Sequence, residues 1–164
     1  FVPYLKQIPQ DNLIFASPDV GGAKRTRNFA QYFHTDMVIC DKHRKRANEV
    51  AEMQVIGDVY GKDVVIVDDL VDTAGTLCKA ATVLKENGAQ SVRAIATHAV
   101  LSGPAYENIE NSALEELVVT DTIPLKQECS KIKVLTVAEL FANAIKKIHK
   151  YESISPLFIS QSRF

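Results

Sequence analysis

Acidic, hydroxyl-bearing and small side chains directly follow a strongly hydrophobic segment of the chain. The run Val64-Val65-Ile66-Val67 is typical of a strand buried on both faces at the centre of a parallel sheet. Asp68 and Asp69 end that run, and residues 72–76 (Asp-Thr-Ala-Gly-Thr) open a predicted helix. A helix start carries unpaired N–H groups and the positive end of the dipole, so small residues and hydroxyls there favour a phosphate. The two acids suit sugar hydroxyls or a bridging Mg2+, and the spacing therefore predicts a site for a phosphorylated sugar.

The same residues also allow a purely structural interpretation. Connections from a strand through a loop to a helix are common, and Asp72 could simply cap the helix. Asp68 and Asp69 could then be solvated loop residues. The residues by themselves leave both interpretations open.

Two further segments place polar residues directly after predicted strands. A strand over residues 12–16 leads into residues 17–22, whose paired glycines expose N–H groups that could bind a diphosphate. A strand over residues 36–40 is followed by residues 42–46, of which four are basic. The first segment could equally be an ordinary tight connection, and the second an ordinary solvated loop.

Composition and charge limit the possible partners. The 164 residues fit one domain, with 46% hydrophobic and 24% charged residues. A net charge of −1 and the lack of a long apolar run argue against a nucleic acid or a membrane as partner. Cys40, Cys78 and Cys129 lack metal-site spacing, and no secretory signal opens the sequence, which predicts a cytoplasmic protein. The chain begins at Phe1 rather than Met, and we expect further residues upstream of it.

Alternating strands and helices predict an α/β fold with a mainly parallel sheet flanked by helices. Ligands of such sheets bind beyond the carboxyl ends of the strands, so the three polar loops should converge on one pocket. We expect an irregular linker remnant over residues 1–11, a domain over residues 12–158 and a tail over residues 159–164. Glycines in residues 57–62 suggest a flexible hairpin over the site.

The C-terminal part of the domain has a clear helix signal. The sequence Thr136-Val137-Ala138-Glu139 matches a capping box and predicts a helix start. Apolar positions then repeat with the helical period and are expected to be buried. They are Val137, Leu140, Phe141, Ala144, Ile145 and Ile148.

Four spaced motifs together resemble the ribose-phosphate diphosphokinase (PRPP synthetase) family, which has the type I phosphoribosyltransferase fold. The motifs are Ser17-Pro18-Asp19-x-Gly21-Gly22-Ala23-Lys24-Arg25, Lys42-x-Arg44-x-x-Ala47-Asn48-Glu49, the segment from Val65 to Thr76, and Thr97-His98-x-x-x-Ser102-Gly103-Pro104-Ala105. The resemblance covers the C-terminal half of family members. It therefore implies that the N-terminal domain, with most of the adenine-binding residues, lies outside this chain.

The resemblance implies transfer of the diphosphoryl group of ATP to the 1-hydroxyl of ribose 5-phosphate, giving PRPP and AMP. It also implies Mg2+ as cofactor, assembly into hexamers when the protein is complete, and no activity for this chain alone. The resemblance assigns binding of the 5-phosphate to Asp72, Thr73, Ala74, Gly75 and Thr76. It assigns ribose binding, directly or through Mg2+, to Asp68 and Asp69, association with Mg2+ to Asp19, and pyrophosphate binding to Gly21 and Gly22. The implied catalytic cations are Lys42 and Arg44, with Asn48 beside them.

Three other functions remain open from the sequence. A phosphoribosyltransferase would share residues 68–76 but would not need Lys42 and Arg44. A non-catalytic subunit associated with the synthetase would assemble with catalytic subunits. A nucleic-acid-binding module would use residues 42–46 and would bind oligonucleotides with a steep dependence on salt.

Overall fold

The computed structural model describes residues 1–43 and 52–158, and within them helices alternate with the strands of one sheet. The strands are β1 (Leu13–Ser17), β2 (Met37–His43), β3 (Glu52–Ile56), β4 (Asp63–Val71), β5 (Ser91–Ala99), β6 (Glu116–Thr120) and β7 (Ile132–Leu135). The helices are α1 (Val2–Leu5), α2 (Ala23–Phe33), α3 (Gly75–Glu86), α4 (Ala105–Glu110) and α5 (Ala138–His149), followed by a short 3-10 turn, Ser155–Leu157.

The strands form a seven-stranded sheet in the order β3-β2-β1-β4-β5-β6-β7. Among the described strands, every neighbouring pair is parallel except β2 and β3. The mainly parallel α/β sheet predicted from the sequence is therefore confirmed. Its order reverses direction next to β1, so the loops after β1 and β4 leave the same edge side by side.

The alternation of side chains along β4 builds a core on each face of the sheet. Val64 and Ile66 pack into one cluster, against the inner face of α3. Val65 and Val67 pack into the other, with Phe15 of β1. This two-sided burial explains why the strand contains only β-branched residues at these four positions.

The N-terminal segment differs from the irregular chain that we expected. Residues Val2–Leu5 form the short helix α1, and its Tyr4 and Leu5 are buried against the same core face as Phe15. Leu5 is 0% exposed, and the Tyr4 hydroxyl donates a short hydrogen bond to Glu116 at the start of β6. Sequence patterns missed this because two prolines and one turn of helix give no periodic signal.

The antiparallel hairpin also lies earlier than we placed it. Strands β2 and β3 pair from Ile39 with Ile56 to His43 with Glu52. Residues 57–62 instead form the short connection into β4, where the Gly61 N–H donates to the Gly88 carbonyl over 2.9 Å. Glycines mark both kinds of turn, so they did not distinguish a hairpin from a strand connection.

Helix α5 begins close to its predicted start, but its predicted burial is wrong. The residue before the helix is Val137 rather than Thr136, and no described side chain caps the helix there, so the predicted capping box is wrong. Thr136 Oγ1 accepts the Ala138 N–H over 3.2 Å. However, no residue of α5 is buried within the described structure. The apolar side chains Leu140, Phe141, Ile145 and Ile148 are between 50% and 64% exposed. The helical period was therefore correct, but periodicity cannot tell which element covers an apolar face.

Within the part of the chain that the structure describes, no helix has the length and apolar character needed to span a membrane.

Candidate sugar-phosphate site

The carboxyl ends of β1 and β4 meet through an arginine near the start of α2. Arg25 Nη2 lies 2.6 Å from Asp69 Oδ2, and Arg25 Nη1 lies 3.5 Å from Asp68 Oδ1. These contacts join the glycine-rich segment after β1 to the acids at the end of β4. The predicted convergence is confirmed for these two segments.

Strand β4 continues through the two acids rather than ending before them. Asp68 pairs with Ala96 of β5, and the strand reaches Val71. The Asp68 carboxylate accepts a hydrogen bond from the Asp69 N–H over 2.8 Å. The Asp68 side chain is 25% exposed and the Asp69 side chain 60% exposed. The sheet therefore fixes the backbone of both acids and leaves the outer carboxylate open to solvent.

Burial raises the pKa of the Asp68 carboxyl to about 6 from an ordinary value of 3.8. The hydrogen bond from the Asp69 N–H lowers this pKa, the Asp69 carboxylate raises it, and the charge of Arg25 lowers it. Asp68 is therefore ionised at neutral pH and able to accept hydrogen bonds from hydroxyl groups. It becomes a neutral acid in mildly acidic solution.

The start of α3 has open N–H groups and a left-handed residue before it. Ala74 precedes the helix with φ of 61°, and no described side chain caps the helix at this residue. A Cβ added to Gly75 would have Thr73 Oγ1, 3.8 Å away, as its nearest described neighbour outside the helix and the adjacent residues. Small side chains thus leave room above the first turn, as a phosphate bound to backbone N–H groups requires.

Asp72 does not cap α3, so the structural alternative for this residue is wrong. Its carboxylate instead accepts a short hydrogen bond from the Ser102 hydroxyl, and its carbonyl accepts the Ser102 N–H over 3.0 Å. The Thr73 carbonyl accepts a hydrogen bond from Asn108 Nδ2 over 2.9 Å. Both partners lie in the segment that follows β5. Thr73 and Thr76 are themselves exposed.

The glycine-rich turn after β1 is arranged differently. Asp19 Oδ1 accepts the N–H of Gly22 over 2.8 Å, and the buried Ser17 hydroxyl donates to the Asp19 carbonyl over 2.6 Å. A Cβ at Gly22 would lie 2.8 Å from Ser17 Oγ, and a Cβ at Gly21 would lie 3.3 Å from Asp19 Oδ1. Close packing therefore requires glycine at position 22, whereas a Cβ at position 21 would need only a small shift of the Asp19 side chain. One of the N–H groups expected to meet pyrophosphate is bonded to Asp19.

The predicted catalytic cations are only partly described. Lys42 lies on β2, beside β1, and its side chain is exposed. Its backbone pairs with Met53 of β3, and its side chain forms no hydrogen bond or ion pair with residues 1–43 or 52–158. Arg44 and Asn48 lie outside the described residues.

The oxygen ligands available suit Mg2+ bound together with a substrate. Among the described residues, no three histidine, cysteine or acidic side chains are close enough to enclose a metal ion. Mg2+ commonly takes only one or two carboxylates and completes its shell with water and substrate phosphates. Asp68 and Asp69 supply such a pair, and Asp19 retains the oxygen that Gly22 does not use. The residues therefore fit Mg2+ as a partner of a phosphorylated ligand.

Three residues of this region had no assigned role in the sequence analysis. Arg25 stood at the end of the first motif and Ser102 within the fourth, but neither motif gave the contact that each makes. Asn108 lies on α4 and had no signal, because its partner is distant in the sequence. All three act between segments, which spacing along one strand or helix does not show.

The fold places the chain among α/β proteins with a mainly parallel sheet and a polar edge. A sequence model described as "Phosphoribosyl synthetase-associated domain" matches residues 33–159, most of the chain. The chain belongs to this family. The resemblance noted in the sequence is thereby confirmed at the level of the family.

The individual relatives carry a consistent name. The ribose-phosphate pyrophosphokinase of Porphyromonas gingivalis is 54% identical over 159 residues, which are 96% of this chain and 51% of that protein. That of Helicobacter hepaticus is 57% identical over 158 residues, again covering 96% of this chain and 51% of the relative. The phosphoribosylpyrophosphate synthetase structure from Mycobacterium smegmatis superposes with a TM-score of 0.83 at 31% identity, covering 91% of this chain and 49% of that one. The chain thus spans about half the length of the curated relatives that it matches.

Proposed function

We propose that the chain carries the ribose 5-phosphate site and the transfer loops of a ribose-phosphate diphosphokinase. The observation that supports this most strongly is the α3 start, which no described side chain caps and which lies directly beyond the Asp68 and Asp69 carboxylates. A phosphate on the helix start would place an attached sugar toward the two acids. The family and the names of the relatives point to the same reaction.

In this proposal the 5-phosphate binds the N–H groups of the loop over residues 72–76. The hydroxyls of Thr73 and Thr76 supply further donors, while Ala74 and Gly75 leave the backbone accessible. The partial positive charge of the α3 start stabilises the dianion. The backbone of this loop therefore binds the part of the ligand that does not react.

Asp68 and Asp69 accept hydrogen bonds from the ribose hydroxyls, and with Asp19 they are the residues that would hold Mg2+. When bound, the ion would neutralise charge on the transferring diphosphoryl group. Arg25 contacts both acids. A sugar or metal ion would have to share or replace that contact.

The proposed transfer forms a bond between the sugar 1-oxygen and the β-phosphorus of ATP. It breaks the bond from the β-phosphorus to the oxygen of the α-phosphate, so AMP leaves and the 1-hydroxyl loses its proton. Such reactions depend on positioning and on charge neutralisation more than on covalent catalysis. Lys42 and Arg44, with Asn48 beside them, are proposed to contact the diphosphoryl group, and Gly21 and Gly22 to line its path.

ATP would bind mainly through a segment that is not in this chain. The chain matches about half of each curated relative, so we propose that it does not turn over alone. In this proposal the chain alone binds ribose 5-phosphate but does not catalyse the transfer. We further propose that the complete protein is a cytoplasmic homo-oligomer.

Calorimetric titration with ribose 5-phosphate, with and without Mg2+, tests the binding half of this proposal. Thr76→Ala should weaken binding roughly tenfold through loss of one hydrogen bond to a charged group. Thr82→Ala is the matched control, since Thr82 is an exposed threonine of the same helix. Ribose without phosphate should bind much more weakly. Absence of saturable binding by the folded chain would refute an autonomous sugar-phosphate site.

Lys42→Ala tests the catalytic half in whichever form of the protein, this chain or a longer one, synthesises PRPP. Turnover should fall by roughly 10²–10³, because one preorganised contact to transition-state charge is lost, while the Kd for ribose 5-phosphate stays nearly constant. Near-normal turnover would remove Lys42 from the mechanism. Consumption of PRPP with a purine or pyrimidine base, without synthesis from ATP, would instead indicate a phosphoribosyltransferase.

A further inference from the structure

The loop over residues 72–76 is held from outside by the segment that follows β5. Beyond the paired strands, the Leu101 N–H donates to the Val71 carbonyl over 3.1 Å, and the Ser102 N–H donates to the Asp72 carbonyl over 3.0 Å. These backbone bonds extend the contact between the two segments past the end of the sheet. They bring Ser102 next to the first residue of the loop.

Two side chains then fix the loop itself. The Ser102 hydroxyl donates a short hydrogen bond to Asp72 Oδ1. Asn108 Nδ2, from α4, donates to the Thr73 carbonyl over 2.9 Å. No described side chain caps α3. The loop directly before the helix is therefore held by side chains of another segment, Ser102 and Asn108.

The backbone on both sides of this contact is in an unfavourable conformation. Ala74 has φ of 61° and Leu101 has φ of 47°, and both are buried. A left-handed conformation is unfavourable for a non-glycine residue and persists only where surrounding contacts impose it. The hydrogen bonds from Ser102 and Asn108 supply such contacts.

We propose that Ser102 and Asn108 are positioning residues that set the conformation of the loop over residues 72–76. This inference rests on the proposed function for its consequence, which is that the two side chains preorganise the loop for a sugar phosphate. Ser102 also engages the Asp72 carboxylate and so restrains a negative charge beside the place where the phosphate would bind. Neither residue needs to touch the ligand.

The test combines amide hydrogen exchange of the ligand-free chain with titration of ribose 5-phosphate. Ser102→Ala and Asn108→Ala each remove one donor without adding a charge near the phosphate. Both should accelerate exchange at the amides of residues 78 and 102, which donate to the Ala74 and Asp72 carbonyls of the loop. Both should also weaken the Kd about five- to tenfold, the effect of one net hydrogen bond. Exchange in the middle of β4 should not change. Ser102→Thr, which keeps the hydroxyl, should restore most of the affinity.

Asn111→Ala is the matched control, since Asn111 is an exposed asparagine directly after α4. Asn111→Ala should change neither the exchange rates of these amides nor the Kd for ribose 5-phosphate. Unchanged exchange at the amides of residues 78 and 102 in Ser102→Ala and Asn108→Ala would overturn the inference, as would faster exchange with a Kd within twofold of the unsubstituted chain. If the unsubstituted chain binds no sugar phosphate, the proposed function fails, and the exchange rates alone decide whether the two side chains hold the loop.

Discussion

Residues 17–22 and residues 72–76 both lead from a buried strand into a helix, but different contacts hold their conformations. The first connection is closed by its own side chains, because Asp19 accepts the Gly22 N–H and Ser17 bonds the Asp19 carbonyl. The second is braced by Ser102 and Asn108 from another segment, and no described side chain caps its helix. The difference shows that glycine content alone does not identify an anion site. In residues 17–22, which contain two glycines, the Gly22 N–H is already hydrogen-bonded to Asp19. In residues 72–76, which contain one glycine, no described side chain caps the helix start.

The two glycines nearest the helix starts should differ most in their tolerance of alanine. Gly22→Ala should lower the free energy of unfolding by about 2–3 kcal/mol, because its Cβ would overlap the buried Ser17 hydroxyl. Gly75→Ala should change it by no more than about 0.5 kcal/mol, since its Cβ would make only an ordinary van der Waals contact, 3.8 Å from Thr73 Oγ1. Urea unfolding of both variants measures the contrast. Equal stabilities would mean that the first turn is not closed as described.

Asp68 near the end of β4 and Asp19 after β1 should affect stability with opposite signs when they are replaced. Burial raises the pKa of Asp68 to about 6, so the unfolded chain releases this proton at lower pH than the folded chain does. The ionised Asp68 therefore costs stability, a cost that appears above about pH 4 and is complete above about pH 6. Asp68→Asn should raise the free energy of unfolding by about 1–2 kcal/mol at pH 7.5 and by nothing near pH 3.5.

The measurement for Asp68 is urea unfolding across this pH range in the presence of a chelator, with Asp11→Asn as an exposed control. A gain for Asp68→Asn that persists undiminished at pH 3.5 would exclude ionisation as its cause.

Removal of the other acid should be destabilising. Asp19→Ala deletes the acceptor of the Gly22 N–H and should lower the free energy of unfolding by about 1 kcal/mol, as for a lost helix cap. Asp19→Asn keeps an acceptor oxygen and should be nearly neutral. Thermal unfolding of the two variants gives the comparison, and equal losses would assign the effect to charge rather than to the hydrogen bond.

The smallest expected effect on stability is at Arg25, which joins the start of α2 to Asp68 and Asp69. Arg25 and Asp69 are both substantially exposed, so Arg25→Ala should change the free energy of unfolding by less than about 0.5 kcal/mol. It should nevertheless raise the pKa of Asp68 further, because the charge of Arg25 lowers that pKa. Carbon-detected NMR titration of the Asp68 carboxyl measures this shift. A lower pKa in the variant would contradict the described contact.

The elements that could be predicted from sequence are those with strong local patterns. The four β-branched residues of β4 predicted a buried central strand, and the strands predicted over residues 12–16 and 36–40 correspond to β1 and β2. The helix predicted to open at residues 72–76 is α3. In each case the neighbours that bury the element require the same period that the sequence shows, so local and tertiary preferences agree.

The features that could not be predicted depend on contacts between distant segments. The apolar face of α5 has the correct period, but burial depends on a covering layer, and Leu140 and Phe141 remain at least half exposed. The bonds of Arg25, Ser102 and Asn108 join residues far apart in the chain. The roles of Lys42, Arg44 and Asn48 stay predictions, and the last two lie outside the described residues.

The register at the centre of the sheet has a consequence for how the chain folds. Strand β1 pairs with β4, and Leu13 lies opposite Asp63. The chain between these two residues contains α2, β2 and β3, so the pairing closes a long loop. Closing so large a loop costs entropy before the parallel pairing can compensate, which slows folding relative to domains with local contacts. We therefore expect refolding of this chain on a timescale of about milliseconds to seconds, with β1 docking late.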